Sequence, residues 1–249
     1  MKIIETVEEF KKYRASQSGC AFVPTMGALH SGHASLLKRA RQASDQVVAS
    51  IFVNPTQFND PNDFQKYPKT WTADIAMLEN ETVDVLFAPT AAEMYHDKYR
   101  YMLTEKKFSQ ALEGNSRPGH FDGVLTVVMK LFQIIQPTHA YFGEKDFQQL
   151  KLIQGMVEAF FLPVKIVPCQ TIREMDGLAM SSRNIRLTSL GRAQAPEIYK
   201  AIRTAATAAE ARLTLEKLNL KVEYVEDVEK RRFAAVIIDD VRLIDNVEI

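Results

Sequence analysis

Short apolar runs alternate with stretches of helical spacing over the first two thirds of the chain. Cys20-Ala21-Phe22-Val23 reads as a strand, and Ala34 to Ala43 as a helix with Leu36, Leu37, Ala40 and Ala43 on one face. Val47 to Val53 is an almost unbroken β-branched run, the pattern of a strand buried on both faces, and it stops at Asn54-Pro55. Val83 to Ala88, His139 to Phe142 and Val164 to Val167 predict three more strands. Ile4 to Tyr13, Thr72 to Asn80, Val124 to Gln136 and Phe147 to Phe161 have helical patterns. Thr56 to Thr70 is polar, contains Pro61 and Pro68, and reads as a long loop of the kind that often closes over a ligand; Leu112 to Gly123 is also loop-like. Tyr95 to Gln110 fits no pattern clearly. The β-α-β alternation predicts an α/β fold with a doubly wound parallel sheet. After Ile172 the pattern changes to a polar turn at Met180 to Asn184, an Ala-rich helical stretch from Leu190 to Leu213, and three strand-like segments at Lys221 to Glu226, Phe233 to Asp239 and Val241 to Asp245. Residues 1–172 and 173–249 are therefore expected to form a large domain and a small α+β one.

Composition narrows the function classes. Apolar residues make up 46% of the 249, enough for a sizeable core. Lys+Arg and Asp+Glu both number 31, and this zero net charge gives no reason to expect a nucleic-acid or membrane-surface partner. With only Cys20 and Cys169, a disulfide framework and a cysteine zinc site are excluded. Met1 to Tyr13 carries mixed charge with no apolar core, and no run is long enough to span a bilayer, so a cytoplasmic protein is expected.

The stretch Pro24 to His33, PTMGALHSGH, lies between the first predicted strand and its helix. That turn is where an α/β sheet binds its ligand, and a helix start there directs unpaired N–H groups at an anion. His30 and His33 are three apart and can share one face, as phosphate donors, as metal ligands, or as ordinary capping residues. His-x-x-His without a third ligand is a weak metal signal. Gly27 and Gly32 tilt the balance to function, because glycine allows a ligand close to the backbone. Gly143-Glu144-Lys145-Asp146 is a second strand-to-helix turn at the same predicted edge; Lys145 suits phosphate, while Asp146 serves equally as a helix cap. Ser181, Ser182 and Arg183 offer two hydroxyls and a forked cation, a set that fits phosphate but by itself is commonly a solvated loop. Gln57 and Gln149 both donate and accept hydrogen bonds, as a hydroxylated substrate requires, although an exposed side chain is the default for either. Neither Gly-x-Gly-x-x-Gly nor a P-loop motif is present.

Taken together, these motifs resemble the pantothenate synthetase (pantoate–β-alanine ligase) family. PTMGALHSGH, SIFVNPTQF (Ser50 to Phe58), LEGNSRPGHFDGVLTVVMKLF (Leu112 to Phe132), GEKDFQQL (Gly143 to Leu150), MSSRN (Met180 to Asn184) and RLIDN (Arg242 to Asn246) occur in the family's order. The resemblance implies a Rossmann-like fold of the HxGH nucleotidyltransferase type with a small C-terminal lid, usually a homodimer. It implies that pantoate and ATP, accompanied by Mg²⁺, give pantoyl adenylate and pyrophosphate, and that β-alanine then displaces AMP to give pantothenate. It places Met26, Gly27, Ala28, Leu29, His30, Ser31, Gly32 and His33 at ATP, with His33 as the proton donor and His30 beside it. Gly143, Glu144, Lys145 and Asp146, the backbone of Ile172, and Met180, Ser181, Ser182 and Arg183 complete that site. Gln57 and Gln149 would bind pantoate, with Gln57 also near β-alanine. Mg²⁺ is held through ATP and not by a protein metal site. The chain departs from the family pattern in a shorter second domain, Lys69 where Arg is common, and His96 where Pro is common. Two other readings remain: a nucleotidyltransferase that leaves the nucleotide on its product, and a nucleotide-binding module without turnover. The neutral 249 residues leave little room for the RNA-binding part of a tRNA ligase.

Overall fold

The computed structural model describes residues 1–59 and 61–249. They form two compact units, Met1–Gly143 with Gln148–Cys169, and Glu144–Phe147 with Gln170–Ile249.

In chain order the first unit contains β1 (Lys2–Ile4), α1 (Val7–Arg14), β2 (Ala21–Thr25), α2 (Ser31–Ala43), β3 (Val47–Ile51), α3 (Pro61–Gln65), α4 (Trp71–Asn80), β4 (Val85–Phe87), α5 (Ala91–Met94), α6 (Glu113–Ser116), α7 (His120–Ile135) and β5 (His139–Gly143). It closes with α8 (Phe147–Ala159), whose first residue belongs to the second unit, and β6 (Lys165–Cys169). The strands form one six-stranded sheet in the order β1-β4-β3-β2-β5-β6, parallel throughout. This is the doubly wound α/β sheet that the sequence pattern predicts. Ala21 and Val23 of β2 pack under Leu36, Leu37 and Ala40 of α2. Phe22, on the opposite face, meets Phe132 of α7 with ring centroids 6.5 Å apart. Cys20 and Cys169 are both buried and free, and burial pushes the Cys20 thiol pKa up.

Chain order reverses between β2 and β5, the switch point at which such sheets bind ligands. The two strands pair only at Ala21–His139 and Phe22–Ala140, whereas β2 stays paired with β3 to Thr25 and β5 with β6 to Gly143. Pro24 explains the early parting. Ala21 N donates to Gln46 O and Thr25 O accepts from Phe52 N on the β3 side, while Cys20 O accepts from Thr138 N on the β5 side. The alternation turns position 24 toward β5, and proline has no N–H with which to continue that ladder. The sheet therefore opens at its C-terminal edge, where PTMGALHSGH begins.

Several boundaries differ from the sequence reading. Lys2–Ile4 is a strand, too short to show a period, ahead of the predicted first helix. The predicted Thr56–Thr70 loop, of which Asp60 lies outside the described residues, overlaps a 3₁₀ turn at Pro55–Gln57 and contains the short helix α3. The predicted Leu112–Gly123 loop contains α6 and the first turn of α7. Helix α2 begins at Ser31 and not at Ala34, because a histidine caps it and histidine is not among the usual capping residues.

The second unit contains α9 (Ser189–Gln194), α10 (Pro196–Thr204), α11 (Ala208–Lys217) and the strands β7 (Lys221–Val228), β8 (Arg231–Ile238) and β9 (Val241–Glu248). The three strands form an antiparallel meander. The Ala-rich stretch is broken into helices by Pro196 and by the Thr207 cap. Ile198 and Ile202 of α10, Leu215 of α11, Val236 of β8 and Leu243 of β9 share its core. Arg232 is only 2% exposed; it pairs with Asp227 at 2.7 Å and donates to the carbonyls of Ala205 and Ala206, the end of α10.

Candidate active site

In the first unit the turn from β2 to α2 is a strained loop fastened from beneath. Gly27 has φ +78° and Ala28 φ +50°, the left-handed region that costs an L-residue energy. Asp74 of α4, 2% exposed, accepts the N–H groups of Ala28 at 3.0 Å and Leu29 at 2.8 Å, and the Thr70 hydroxyl at 3.0 Å. A side chain at position 27 would come within 3.1 Å of the same carboxylate. Nothing in the linear sequence marks Asp74, since one acid on an amphipathic helix usually faces solvent.

The loop delivers His30 and His33 as a reciprocal cap. His30 Nδ1 accepts from Gly32 N at 3.1 Å, and His33 Nδ1 accepts from His30 N at 3.3 Å. Both rings therefore carry their proton on Nε2. The ring centroids are 4.2 Å apart. The structure bears out the capping reading of these residues, and capping with Nδ1 fixes the tautomer of each ring. Gly32 lies in the first turn of α2, Ser31 is exposed, and Met26 and Leu29 are half-buried.

Gln57, 8% exposed, stands in a buried polar network. Its Oε1 accepts from Asn54 Nδ2 at 3.1 Å and its Nε2 lies 2.7 Å from Met26 Sδ. Its backbone oxygen accepts from Arg117 at 3.0 Å and lies 2.7 Å from His120 Nδ1. Asn54 is held in turn by Tyr95, whose hydroxyl donates to Asn54 Oδ1 at 2.8 Å, and by the Gly123 carbonyl at 3.0 Å. Burial raises the Tyr95 pKa, so the phenol keeps its proton and remains a donor. A Cβ at Gly123 would meet the Thr56 carbonyl at 2.5 Å, so glycine is what lets α7 approach this turn. The sequence reading gives none of Asn54, Tyr95, Arg117 and His120 a role, although all but Tyr95 lie within the motifs that carry the resemblance.

The neighbouring glutamines of α8 are distinct. Gln148 is 3% exposed and saturated: it accepts from Glu113 N and donates to the carbonyls of Phe108 and Ala111. Gln149 is half-buried, and among the described residues its amide has no hydrogen-bond partner. Gly143 closes β5.

The second unit carries the remaining candidates in two segments. Glu144–Asp146 is a 3₁₀ turn in which Lys145 Nζ lies 3.8 Å from Asp146 Oδ1, and among the described residues Asp146 makes no capping bond to α8. Phe147 anchors the turn, with its ring 4.0 Å from the Arg231 guanidinium and 6.1 Å from Phe233. Ile172 and Met180 are brought together across a hairpin: Met180 N donates to Ile172 O at 2.9 Å, next to the Arg173–Ala179 bridge. Ser181 Oγ accepts from Arg183 N at 3.2 Å, and Asn184 ties the loop to Glu174 and to the Ala179 carbonyl. Among the described residues no group of three or more His, Cys, Asp or Glu is placed to hold a metal ion.

The comparisons agree with one another. The family model described as pantoate-beta-alanine ligase matches residues 2–248. A pantothenate synthetase of Bdellovibrio bacteriovorus is 58% identical over 249 residues, covering 100% of this chain and 99% of the relative. A crystal structure of pantoate-beta-alanine ligase from Francisella tularensis, complexed with beta-gamma ATP and beta-alanine, has a TM-score of 0.95 at 44% identity, covering 100% of this chain and 97% of that one. Pantothenate synthetase from Thermus thermophilus has a TM-score of 0.91 at 39% identity, covering 100% and 99%. Relatives of nearly the same length show that the short second domain is not peculiar to this chain.

Proposed function

The chain belongs to the pantoate–β-alanine ligase family, and from that premise we propose how its own residues carry the ATP-dependent joining of pantoate to β-alanine. The observation that carries the proposal is the Nδ1-capped pair His30 and His33, which the turn from β2 to α2 sets at the switch-point edge of the sheet.

Pantoate's carboxylate is ionised at neutral pH, with a pKa of about 4, so its attack on the α-phosphate of ATP needs no base. Catalysis of this step is positioning and neutralisation of phosphate charge. His30 and His33 donate through Nε2, Lys145 and Arg183 supply positive charge, and Ser181 and Ser182 supply hydroxyls. Met26 to Gly32, Gly143 to Asp146, and the Ile172 backbone with Met180 hold the nucleotide. Mg²⁺ enters as the Mg–ATP complex. His33 acts first as a charge-stabilising donor and then as a proton source for departing pyrophosphate. The products of this step are pantoyl adenylate and pyrophosphate.

Gln57, fixed on both backbone and side chain, and Gln149, with an uncommitted amide, bind pantoate; Gln57 also lies near β-alanine. β-Alanine's amine must lose a proton before it displaces AMP, since an alkylamine pKa is about 10. The adenylate is prone to hydrolysis, which calls for a site that excludes water. The second unit is our candidate lid, together with the segment between Phe58 and Thr70. We further propose a cytoplasmic homodimer. Among the described residues no helix is long and apolar enough to cross a membrane.

The test is pantoate-dependent exchange of labelled pyrophosphate into ATP, with Mg²⁺ and without β-alanine. Exchange, followed by AMP and pantothenate on adding β-alanine, is the expected result. Absence of exchange would refute reversible adenylate formation, and a product that retains the nucleotide would place the chain with the nucleotidyltransferases.

A further inference from the structure

The motif RLIDN has no part in the chemistry above, yet two of its residues are almost fully buried polar groups: Asp245 is 6% exposed and Asn246 is 3% exposed. Burying such groups is costly unless their bonds are all made, and here each is committed to a segment that the proposed function assigns to ATP. Asn246 Nδ2 donates to the carbonyls of Glu144 at 3.0 Å and Lys145 at 2.8 Å. Its Oδ1 accepts from Arg231 Nη1 at 2.6 Å, and the same Arg231 lies over the Phe147 ring. The amide thus clamps the backbone of the turn and takes no part of the Lys145 side chain. Asp245 receives Arg173 through two bonds, at 2.6 and 2.9 Å. Arg173 follows Ile172 directly, donates to the Gly177 carbonyl, and stacks 3.7 Å over Tyr199. Asp245 Oδ1 also accepts from Asn246 N at 2.8 Å, which joins the two clamps.

We infer that Asn246 is a positioning residue for Lys145, and that the Asp245–Asn246 pair sets the Glu144–Asp146 turn and the Ile172 hairpin on one strand. The inference rests on the role given to Lys145. Its chemistry is specific to an amide: two half-buried carbonyls need two N–H donors at one point, and a carboxylate of the same shape supplies none. A lysine displaced by about 1 Å loses phosphate stabilisation on the scale of a hundredfold.

The test is a double-mutant cycle on pyrophosphate exchange and on the ATP KM, using full-length Asn246→Asp, Lys145→Ala and the double variant. Asn246→Asp is expected to lower exchange at least tenfold, while its circular dichroism spectrum stays native. In the Lys145→Ala background the same substitution is expected to change little, because the group it positions is gone. Equal effects in both backgrounds would overturn the inference, since a general structural defect is additive with loss of Lys145. If Lys145→Ala alone is silent, the role given to Lys145 falls, and the inference falls with it. If Asn246→Asp does not fold, the same cycle is read on Asn246→Ser with the same criteria.

Discussion

Replacing Asp74 by asparagine tests whether the histidine turn is held by its sequence or by its support. The substitution keeps the shape of the side chain. In the native protein one carboxylate accepts two backbone N–H groups and a hydroxyl, while the loop above has Gly27 and Ala28 at positive φ. An amide can accept from only one of the two N–H groups and turns its own N–H₂ toward the other. One charge-assisted bond is lost, worth about 1.5–3 kcal/mol, and a buried donor is left without a partner at a further 1–3 kcal/mol or so. A loss of about 3 kcal/mol exceeds the roughly 1–2 kcal/mol that the left-handed Ala28 costs, so the turn should relax. His30 begins two residues beyond Ala28, and the Nε2 donors move with it. The expected outcome is a fall in pyrophosphate exchange of about a hundredfold, with a melting temperature lower by several degrees. Thr70→Val, which removes only the hydroxyl, should cost far less in both assays. Asp74→Asn with native exchange and an unchanged melting temperature would refute the reasoning, because it would show that the loop holds its conformation unaided.

His33→Ala should lower exchange at least about a hundredfold, in the range of a lost transition-state donor, and near-native turnover would remove it from the mechanism. The adjacent glutamines should separate cleanly. Gln149→Ala raises the pantoate KM well above any change in the ATP KM, whereas Gln148→Ala chiefly lowers stability by stranding the Glu113 N–H and two carbonyls, as thermal melts would show. Asp227 has its pKa lowered mainly by its hydrogen bond to Arg232, so its contribution is present above the unfolded carboxyl value of about 4 and is lost as pH falls through the folded one. Asp227→Asn should therefore flatten the acid decline of stability; an unaltered melting profile below about pH 4 would argue that the pair contributes nothing.

The candidate residues of the site are more legible in the sequence than the groups that support them. Strand runs such as Val47 to Val53 and the turn PTMGALHSGH announce themselves, because hydrophobic period and local glycine are read along the chain. What holds the site is read across it. Asp74 lies 46 positions from Ala28, Asn246 lies 101 from Lys145, and Tyr95 lies 41 from Asn54. An isolated Asp, Asn or Tyr gives no local signal of the distant backbone group it satisfies. Likewise His30 and His33 stand out as a pair, but which nitrogen carries the proton follows only from the capping bonds. The distinction between Gln148 and Gln149 is visible only once their partners are known.

Pro24 also bears on how the chain folds. The sheet has two halves, β1-β4-β3-β2 and β5-β6, and they are joined only by the short ladder at Ala21–His139 and Phe22–Ala140. Its flanking bond from Thr138 N to Cys20 O spans 118 positions. Few hydrogen bonds closing so long a loop make this the junction with the largest entropy of closure and the least ladder to offset it. The two halves should thus acquire protection from hydrogen exchange before the junction does. In the native state, amides bordering it should exchange through openings smaller than global unfolding. The seam at which we propose that the nucleotide binds is then also the last part of the sheet to form and the first to breathe.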